Sequence, residues 1–185
     1  MRLIAVAISL LFVLTPNVVT GQTSTTAGAG LSLQVAAGPT VIGGGNVMAA
    51  ALGYSPASWL ELLLNAERIH LPFELERFPD GFSATRGGTM AFASGELRVA
   101  LLSADRVSPF AIAGIGGGVS RPNVNAQFPD AVRNDLRVLY VGGGVRVPLR
   151  RGFSLSGDVR GVLAVEGNDG VLAILPVRAG VAWRF

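Results

Sequence analysis

The sequence predicts an all-β protein: an eight-stranded, antiparallel, up-and-down transmembrane β-barrel that follows a cleaved signal peptide. Three observations favour this fold class. Half of the 185 residues are apolar and only 15% are charged, against roughly 25% charged residues in ordinary soluble domains. Beyond the N-terminus, no run of about 18 apolar residues is present that could form a membrane-spanning helix. Several segments instead alternate between apolar and polar residues, which is typical of strands whose two faces meet different surroundings.

The N-terminal segment Met1–Gly21 is expected to be a signal peptide. Arg2 supplies the positive start, and Leu3–Leu14 form an apolar stretch that is too short for a full membrane span. A retained N-terminal anchor is the alternative. The polar, threonine-rich residues 22–28 are expected to form a flexible lead-in. This division leaves residues 29–185 for the barrel.

Eight strands of about 10–14 residues are predicted, and a tilted membrane-spanning strand needs about 9–11. They are expected near Gly30–Thr40, Asn46–Tyr54, Ser58–His70, Thr89–Leu102, Phe110–Ser120, Leu136–Leu149, Phe153–Val165 and Val171–Phe185. Residues 59–69 are ambiguous, because their apolar run could also form a short helix. Short turns are predicted at Gly53–Ala57, Ser103–Pro109 and Arg150–Gly152, and long polar loops at Leu71–Gly88 and Arg121–Asp135. An even number of strands places both termini on one side, the periplasm.

The last predicted strand shows the alternation most clearly. Its apolar set is Leu175, Val177, Ala179, Val181, Trp183 and Phe185, and its other face carries Arg178 and Arg184. A lipid-facing outside and a polar inside satisfy both faces. A soluble β-sandwich or lipocalin-like barrel would reverse the two faces, but the low fraction of charged residues disfavours it.

The same period predicts a network of charged side chains in the lumen of the barrel. Its members are Glu96, Arg98, Arg146, Asp158, Arg160, Arg178 and Arg184, with Glu61 and Glu67 as further candidates. The interior of an eight-stranded barrel is just wide enough to be filled by side chains, and buried charges must pair. The network is therefore expected to plug the lumen. Acid–base chemistry by Glu61 and Glu67 is the alternative interpretation of that pair.

Other motifs predict no catalytic, cofactor-binding or metal-binding residues. The glycine clusters at 114–118 and 142–144 lack the Lys-Ser/Thr of a phosphate loop, and we expect them to permit strand curvature and to make room for large inward side chains. The single histidine, His70, excludes any site that needs two imidazoles, and cysteine is absent. No Lys/Arg cluster is interleaved with aromatic residues, so no nucleic-acid partner is expected.

Aromatic residues are predicted to lie at the level of the lipid headgroups, where amphipathic rings are favoured. They are Tyr54, Trp59, Tyr140, Phe153, Trp183 and Phe185.

The ending Val177–Phe185 resembles the C-terminal strand of bacterial outer-membrane proteins, which alternates apolar positions and ends in an aromatic residue, usually Phe. With its signal segment and eight strands, the mature chain resembles the OmpA/OmpX-type eight-stranded barrel family. The resemblance implies residence in the bacterial outer membrane, among its lipids. It also implies that Val181, Trp183 and Phe185 form a signature recognised by the barrel-assembly machinery.

The function expected from these features is a non-enzymatic, structural or surface-interaction role, with a plugged lumen and long loops open to an extracellular partner. A small porin-like channel, or a transporter of small or hydrophobic solutes, is the alternative. A lipid-modifying enzyme is less favoured. Lipid A deacylases of similar size carry a serine two residues after the catalytic histidine, whereas His70 is followed by Leu71 and Pro72.

Overall fold

The computed structural model describes residues 30–185, except for 43, 73, 79–80, 86, 103–106, 125–132 and 167–169. The predicted signal peptide and lead-in, residues 1–28, lie outside the described residues. No helix in the described part of the chain is long and apolar enough to cross a membrane.

The described chain forms eleven strands. They are β1 (Gly30–Pro39), β2 (Asn46–Ala57), β3 (Leu60–Leu71), β4 (Glu74–Phe78), β5 (Gly81–Thr85), β6 (Gly88–Ala100), β7 (Ser108–Pro122), β8 (Asn134–Pro148), β9 (Phe153–Glu166), β10 (Gly170–Ile174) and β11 (Val177–Arg184). β1, β2, β3, β6, β7, β8 and β9 pair in that order, each antiparallel to the next.

The barrel closes at its last strand. β10 and β11 both pair with β9 in a single register, and β11 also pairs with β1. They are therefore two halves of one barrel strand, and the sheet is a closed, antiparallel barrel of eight strands. This confirms the predicted fold class. Closure leaves no unpaired strand edge, which is the condition for a β-sheet to cross a bilayer.

The last barrel strand is interrupted where the sequence predicted continuity. Proline has no N–H to donate to a neighbouring strand, and the break lies at Leu175–Pro176. Backbone bonds still hold the segment on both sides: Val41 N donates to the carbonyl of Leu175 at 2.8 Å, and Arg160 N donates to that of Pro176 at 3.1 Å. The interruption is therefore local, and the barrel stays closed across it.

The ambiguous segment 59–69 lies in strand β3, with every second residue buried. Two predicted connections differ from the structure. β2 continues to Ala57 after a register shift that begins at Tyr54, so the turn is Ser58–Trp59 and not Gly53–Ala57. Within the predicted loop Leu71–Gly88, β4 and β5 form a separate two-stranded antiparallel sheet.

The outer surface of the barrel is apolar. Exposed side chains such as Leu64 (64% exposed), Ile115 (69%) and Leu139 (51%) point away from the lumen, and every barrel strand contributes similar residues. Soluble monomers rarely expose apolar patches of more than a few hundred Å². A belt around the whole circumference therefore needs lipid to cover it.

Candidate functional site

The lumen is the candidate site, and it contains all seven charged residues predicted to face inward. Glu96, Arg98, Asp158, Arg160 and Arg178 are each at most 5% exposed. Arg146 and Arg184 face inward on the same strand faces but are only partly buried. The period of two along each strand explains this placement, because alternate residues point to opposite faces of a sheet.

One ion-pair cluster lies towards the end of the barrel with the short turns. Glu61 on β3 accepts from Arg98 on β6 at 3.1 Å and from Arg146 on β8 at 2.7 Å. Its other oxygen accepts from the Ser32 hydroxyl and the Gln34 amide, each at 2.9 Å. Side chains from three other strands thus converge on this one carboxylate.

A second cluster lies near the middle of the barrel. Arg178 on β11 contacts both carboxylate oxygens of Asp158, each at 3.1 Å, and reaches Glu67 at 2.8 Å. Arg160 also donates to Asp158, at 2.8 Å. The two-pronged contact between Arg178 and Asp158 is the strongest form of ion pair available to these side chains.

Glu96 connects the two clusters. Its carboxylate lies 3.1 Å from Arg98 on one side and 2.7 Å from Arg160 on the other. The four buried acids (Glu61, Glu67, Glu96, Asp158) and the four arginines they contact (Arg98, Arg146, Arg160, Arg178) balance as 4 − 4 = 0. A neutral cluster with short contacts avoids the cost of an uncompensated buried charge.

Tyr140 is not at the headgroup level, so that part of the aromatic prediction is wrong. It is 1% exposed and lies inside the barrel, where its hydroxyl donates to Glu96 at 3.2 Å and contacts the Ser94 hydroxyl at 2.9 Å. The Arg160 guanidinium lies over its ring, 4.9 Å from the centroid. Its position on the same face as Arg146 was the signal for this location.

The inward glycines make room for these side chains. A Cβ added to Gly114 on β7 would overlap the Tyr140 ring, and one added to Gly144 would overlap the Gly157 carbonyl and crowd the Asp158 side chain. The absence of a side chain at these positions therefore lets neighbouring strands carry large inward groups.

Sequence reasoning missed that the end of the lumen nearer the long loops is apolar. The buried cluster there comprises Val47, Ile69, Leu71, Met90, Phe92, Leu136, Val138, Val162, Ala164 and Ile174, with Tyr140 at its border with the ion pairs. The signal was present in the alternation: Ile69 shares a strand face with Glu67, and Phe92 shares one with Ser94. The interior thus changes from polar to apolar along the barrel axis.

Little open space remains inside the barrel. Cavities of about 160 Å³ and 140 Å³ lie at the short-turn end and the long-loop end. The central cavity beside Asn65, Arg98 and Asp158 measures about 10 Å³, which is room for about one water molecule. In the described residues, no group of three or more acidic or histidine side chains could hold a metal ion.

His70 lies on the outward face near the end of β3. Its Nδ1 is 3.3 Å from the Thr89 hydroxyl, and no carboxylate of the described residues pairs with it. The histidine is therefore apart from the charges of the lumen.

The three residues of the C-terminal signature point outward at the seam of the barrel. Trp183 stacks on Phe153 with a centroid distance of 6.1 Å and lies 5.2 Å from the Phe185 ring. Phe185 N donates to the Leu31 carbonyl at 3.0 Å, and Val181 pairs with Val35. Val181 and Trp183 thus belong to the strand that closes the sheet, and Phe185 directly follows it.

Solved structures share this architecture. Neisserial surface protein A (NspA) is similar with a TM-score of 0.61 and 12% identity, covering 85% of this chain and 96% of that one. The fold is that of the small outer-membrane β-barrels. The N-terminal β-barrel domain of Pseudomonas aeruginosa OprF gives a TM-score of 0.60 at 12% identity, covering 85% and 98%. A major outer membrane protein from Thermus thermophilus gives 0.56 at 16% identity, covering 85% and 99%.

No family model matches the sequence, and no curated protein matches it as a relative. The similarity therefore concerns the fold alone. The predicted location in the bacterial outer membrane agrees with the fold and with the apolar belt.

Proposed function

We propose that this outer-membrane barrel has a structural or surface-interaction role, that it is not an enzyme, and that its lumen is closed. The observation that carries the proposal is the ion-pair network centred on Glu96, which crosses the lumen from Arg146 to Arg178. The apolar cluster fills the remaining half. A hydrated pathway would require breaking several buried pairs together, and each would leave an unpaired charge behind.

Two other functions have less support. A channel or transporter needs a continuous passage, whereas the central cavity has a volume of about 10 Å³. A lipid-modifying enzyme needs an activated nucleophile, and the Thr89 hydroxyl beside His70 has no described carboxylate to orient the imidazole. The long-loop end, opposite Gly30 and Phe185, is the part of the barrel that we assign to an extracellular partner.

Ion conductance in planar lipid bilayers tests the closed lumen. The purified, folded barrel is expected to give no regular conductance steps. The double variant Glu96→Ala/Arg98→Ala opens the centre and is expected to show small steps. The matched double variant Glu61→Ala/Arg146→Ala also removes one acid and one arginine, but it leaves the centre intact and should stay silent. Uniform steps from the unaltered protein would contradict the proposal.

We also propose that Val181, Trp183 and Phe185 act as the signal for the barrel-assembly machinery. Their support is that all three are exposed on the closing strand, where a partner could bind them before the barrel closes. Deletion of Phe185, described in the Discussion, tests this role.

A further inference from the structure

Among the residues whose side chains the structure describes, four exposed arginines lie on the outward side of the barrel at its long-loop end. We define them as the basic patch: Arg68, Arg121, Arg133 and Arg137. Arg68 is three residues before the end of β3, Arg121 is next to last in β7, and Arg137 is three residues into β8. These positions lie at the margin of the apolar belt, where long cationic side chains reach the headgroup layer.

Strand pairing brings the patch together: its arginines lie on or directly beside β3, β7 and β8, and β6 lies between β3 and β7. Arg68 is paired with Ala91 on β6, which in turn is paired with Val119 on β7. Arg137 on β8 is paired with Gly117 on β7. Neighbouring strands are about 4.8 Å apart, so the backbones of Arg68 and Arg137 are separated by roughly 15 Å across the sheet.

In the described part of the chain, the patch occupies one side of the barrel. On the other barrel strands, the described outward residues at this end carry no charge: they are Ala37, Pro39, Asn46, Met48, Val165, Val171 and Ala173. Asp135 is the one described acid within the patch, which gives a net charge of +4 − 1 = +3. A general attraction to headgroups would place arginines around the whole circumference, so the asymmetry indicates a particular ligand.

The surface between the arginines is formed by residues with small side chains. Ala91, Ala93 and Gly117 are exposed there, and Ala93 is paired directly with Gly117. The larger Leu64 and Ile115 border this surface on the side nearer the middle of the belt. Gly95 is exposed between Leu64 and Ile115 and is paired with both, so the small residues leave a shallow apolar trough that runs from the basic patch into the belt and can receive a hydrocarbon chain.

All fifteen basic residues of the chain are arginines, with no lysine. The planar guanidinium can donate two parallel hydrogen bonds to a phosphate, which an ammonium group cannot do. The patch therefore has the chemistry of a phosphate site, placed above an apolar trough.

We propose that the basic patch binds the phosphorylated headgroup of an outer-leaflet lipid, with an acyl chain of that lipid in the trough formed by Ala91, Ala93 and Gly117. The positive charge complements the phosphates, and the small side chains admit the chain. This site goes beyond the proposed function and does not depend on a closed lumen.

Native mass spectrometry of lipids retained after mild detergent extraction tests the site. The folded protein is placed in phosphatidylcholine vesicles that contain diphosphoryl lipid A. The unaltered barrel is expected to retain lipid A in preference to phosphatidylcholine. The double variant Arg68→Gln/Arg137→Gln is expected to lose about tenfold or more of that retention. The matched variant Arg150→Gln/Arg151→Gln removes the same charge at the opposite end and should retain lipid A normally.

A third variant tests the trough separately from the charges. Gly117→Leu fills the low surface without altering any arginine, and a Cβ at this position has its nearest neighbour, the Leu136 carbonyl oxygen, at 3.4 Å. It is expected to reduce lipid A retention while heat-modifiable migration on gels shows a folded barrel. Normal retention by Arg68→Gln/Arg137→Gln, or an equal loss in Arg150→Gln/Arg151→Gln, would overturn the proposal. Equal retention of phosphatidylcholine would overturn it as well.

Discussion

Glu96 is the residue on which the lumenal network depends most. It contacts Arg98 and Arg160 and also accepts from the Asn65 amide and the Tyr140 hydroxyl, each at 3.2 Å. Its side chain is fully buried. Removing one partner of a buried ion pair is costly because the other charge stays behind without compensation.

Glu96→Gln is accordingly expected to lower the free energy of unfolding by about 3–5 kcal/mol. Tyr140→Phe keeps the ring and loses only hydrogen bonds to its hydroxyl, so a loss of about 1–3 kcal/mol is expected. Urea unfolding in detergent micelles, followed by tryptophan fluorescence, measures both. If Tyr140→Phe is as destabilising as Glu96→Gln, the ion pairs of Glu96 contribute little.

Gly114 offers a second prediction at the scale of single residues. A methyl group at Gly114 would overlap the Tyr140 ring, so Gly114→Ala is expected to destabilise the barrel by about 1–3 kcal/mol through overpacking. Gly117→Ala, on the same strand but facing outward, is the matched control and should be nearly neutral. The same unfolding experiment compares the two. Equal stability of both variants would show that the lumen has more room at Tyr140 than the contact indicates.

At the scale of strands, most of the predicted fold followed from the alternation of apolar and polar side chains. The sequence predicts which residues of β9 face inward (Asp158 and Arg160) and which face outward (Val159 and Gly161), because successive side chains of a strand point to opposite faces. The partners of each charge depend on register across distant strands. The contact between Arg178 and Glu67, for example, joins residues 111 positions apart. No local pattern encodes such a pairing, and for the same reason the hydrogen bonds of Tyr140 escaped prediction.

Strand β9 allows a test of the apolar belt at two depths. Val159 lies near the middle of the strand and Val165 near its end, and both side chains face outward. An arginine on the lipid face costs about 2–4 kcal/mol at the bilayer midplane and about 0–1 kcal/mol near the interfaces. Val159→Arg should therefore reduce the folded fraction in lipid vesicles much more than Val165→Arg. Equal effects would mean that the belt is not centred on Val159.

The closing strand and the β4–β5 hairpin should respond differently to deletion. Phe185 donates a backbone bond to Leu31 at the seam, and its deletion leaves an unpaired group at the edge. Replacing residues 74–85 by a short Gly-Ser linker removes a sheet that is separate from the barrel. The fraction of heat-modifiable protein in the outer membrane is expected to fall with the Phe185 deletion and to change little with the linker. The reverse order would contradict the assembly role of the C-terminal strand.

For the whole molecule, the two ends of the barrel differ in composition as well as in loop length. The short-turn end holds the ion pairs around Glu61, whereas the long-loop end holds the apolar cluster with Leu71 and Met90. Gly30 and Phe185 also lie at the short-turn end, because Gly30 pairs with Ser55 and Phe185 bonds to Leu31. Both ends of the described chain thus emerge beside the charged half of the lumen.

The difference in loop length between the two ends predicts the orientation of the barrel in the outer membrane. Outer-membrane barrels have short turns on the periplasmic side and longer loops outside. An epitope tag inserted between Phe78 and Gly81, in the β4–β5 hairpin, should therefore bind antibody on intact cells. A tag inserted between Arg150 and Arg151, in the tight turn before β9, should bind antibody only after the outer membrane is permeabilised. Both sites lie outside the barrel strands, so both tagged proteins should keep heat-modifiable migration. Labelling of the Arg150–Arg151 tag on intact cells would show that the orientation is the reverse of the one predicted. The basic patch would then face the inner leaflet of the outer membrane, where it could not reach the lipid A headgroup that we propose as its ligand.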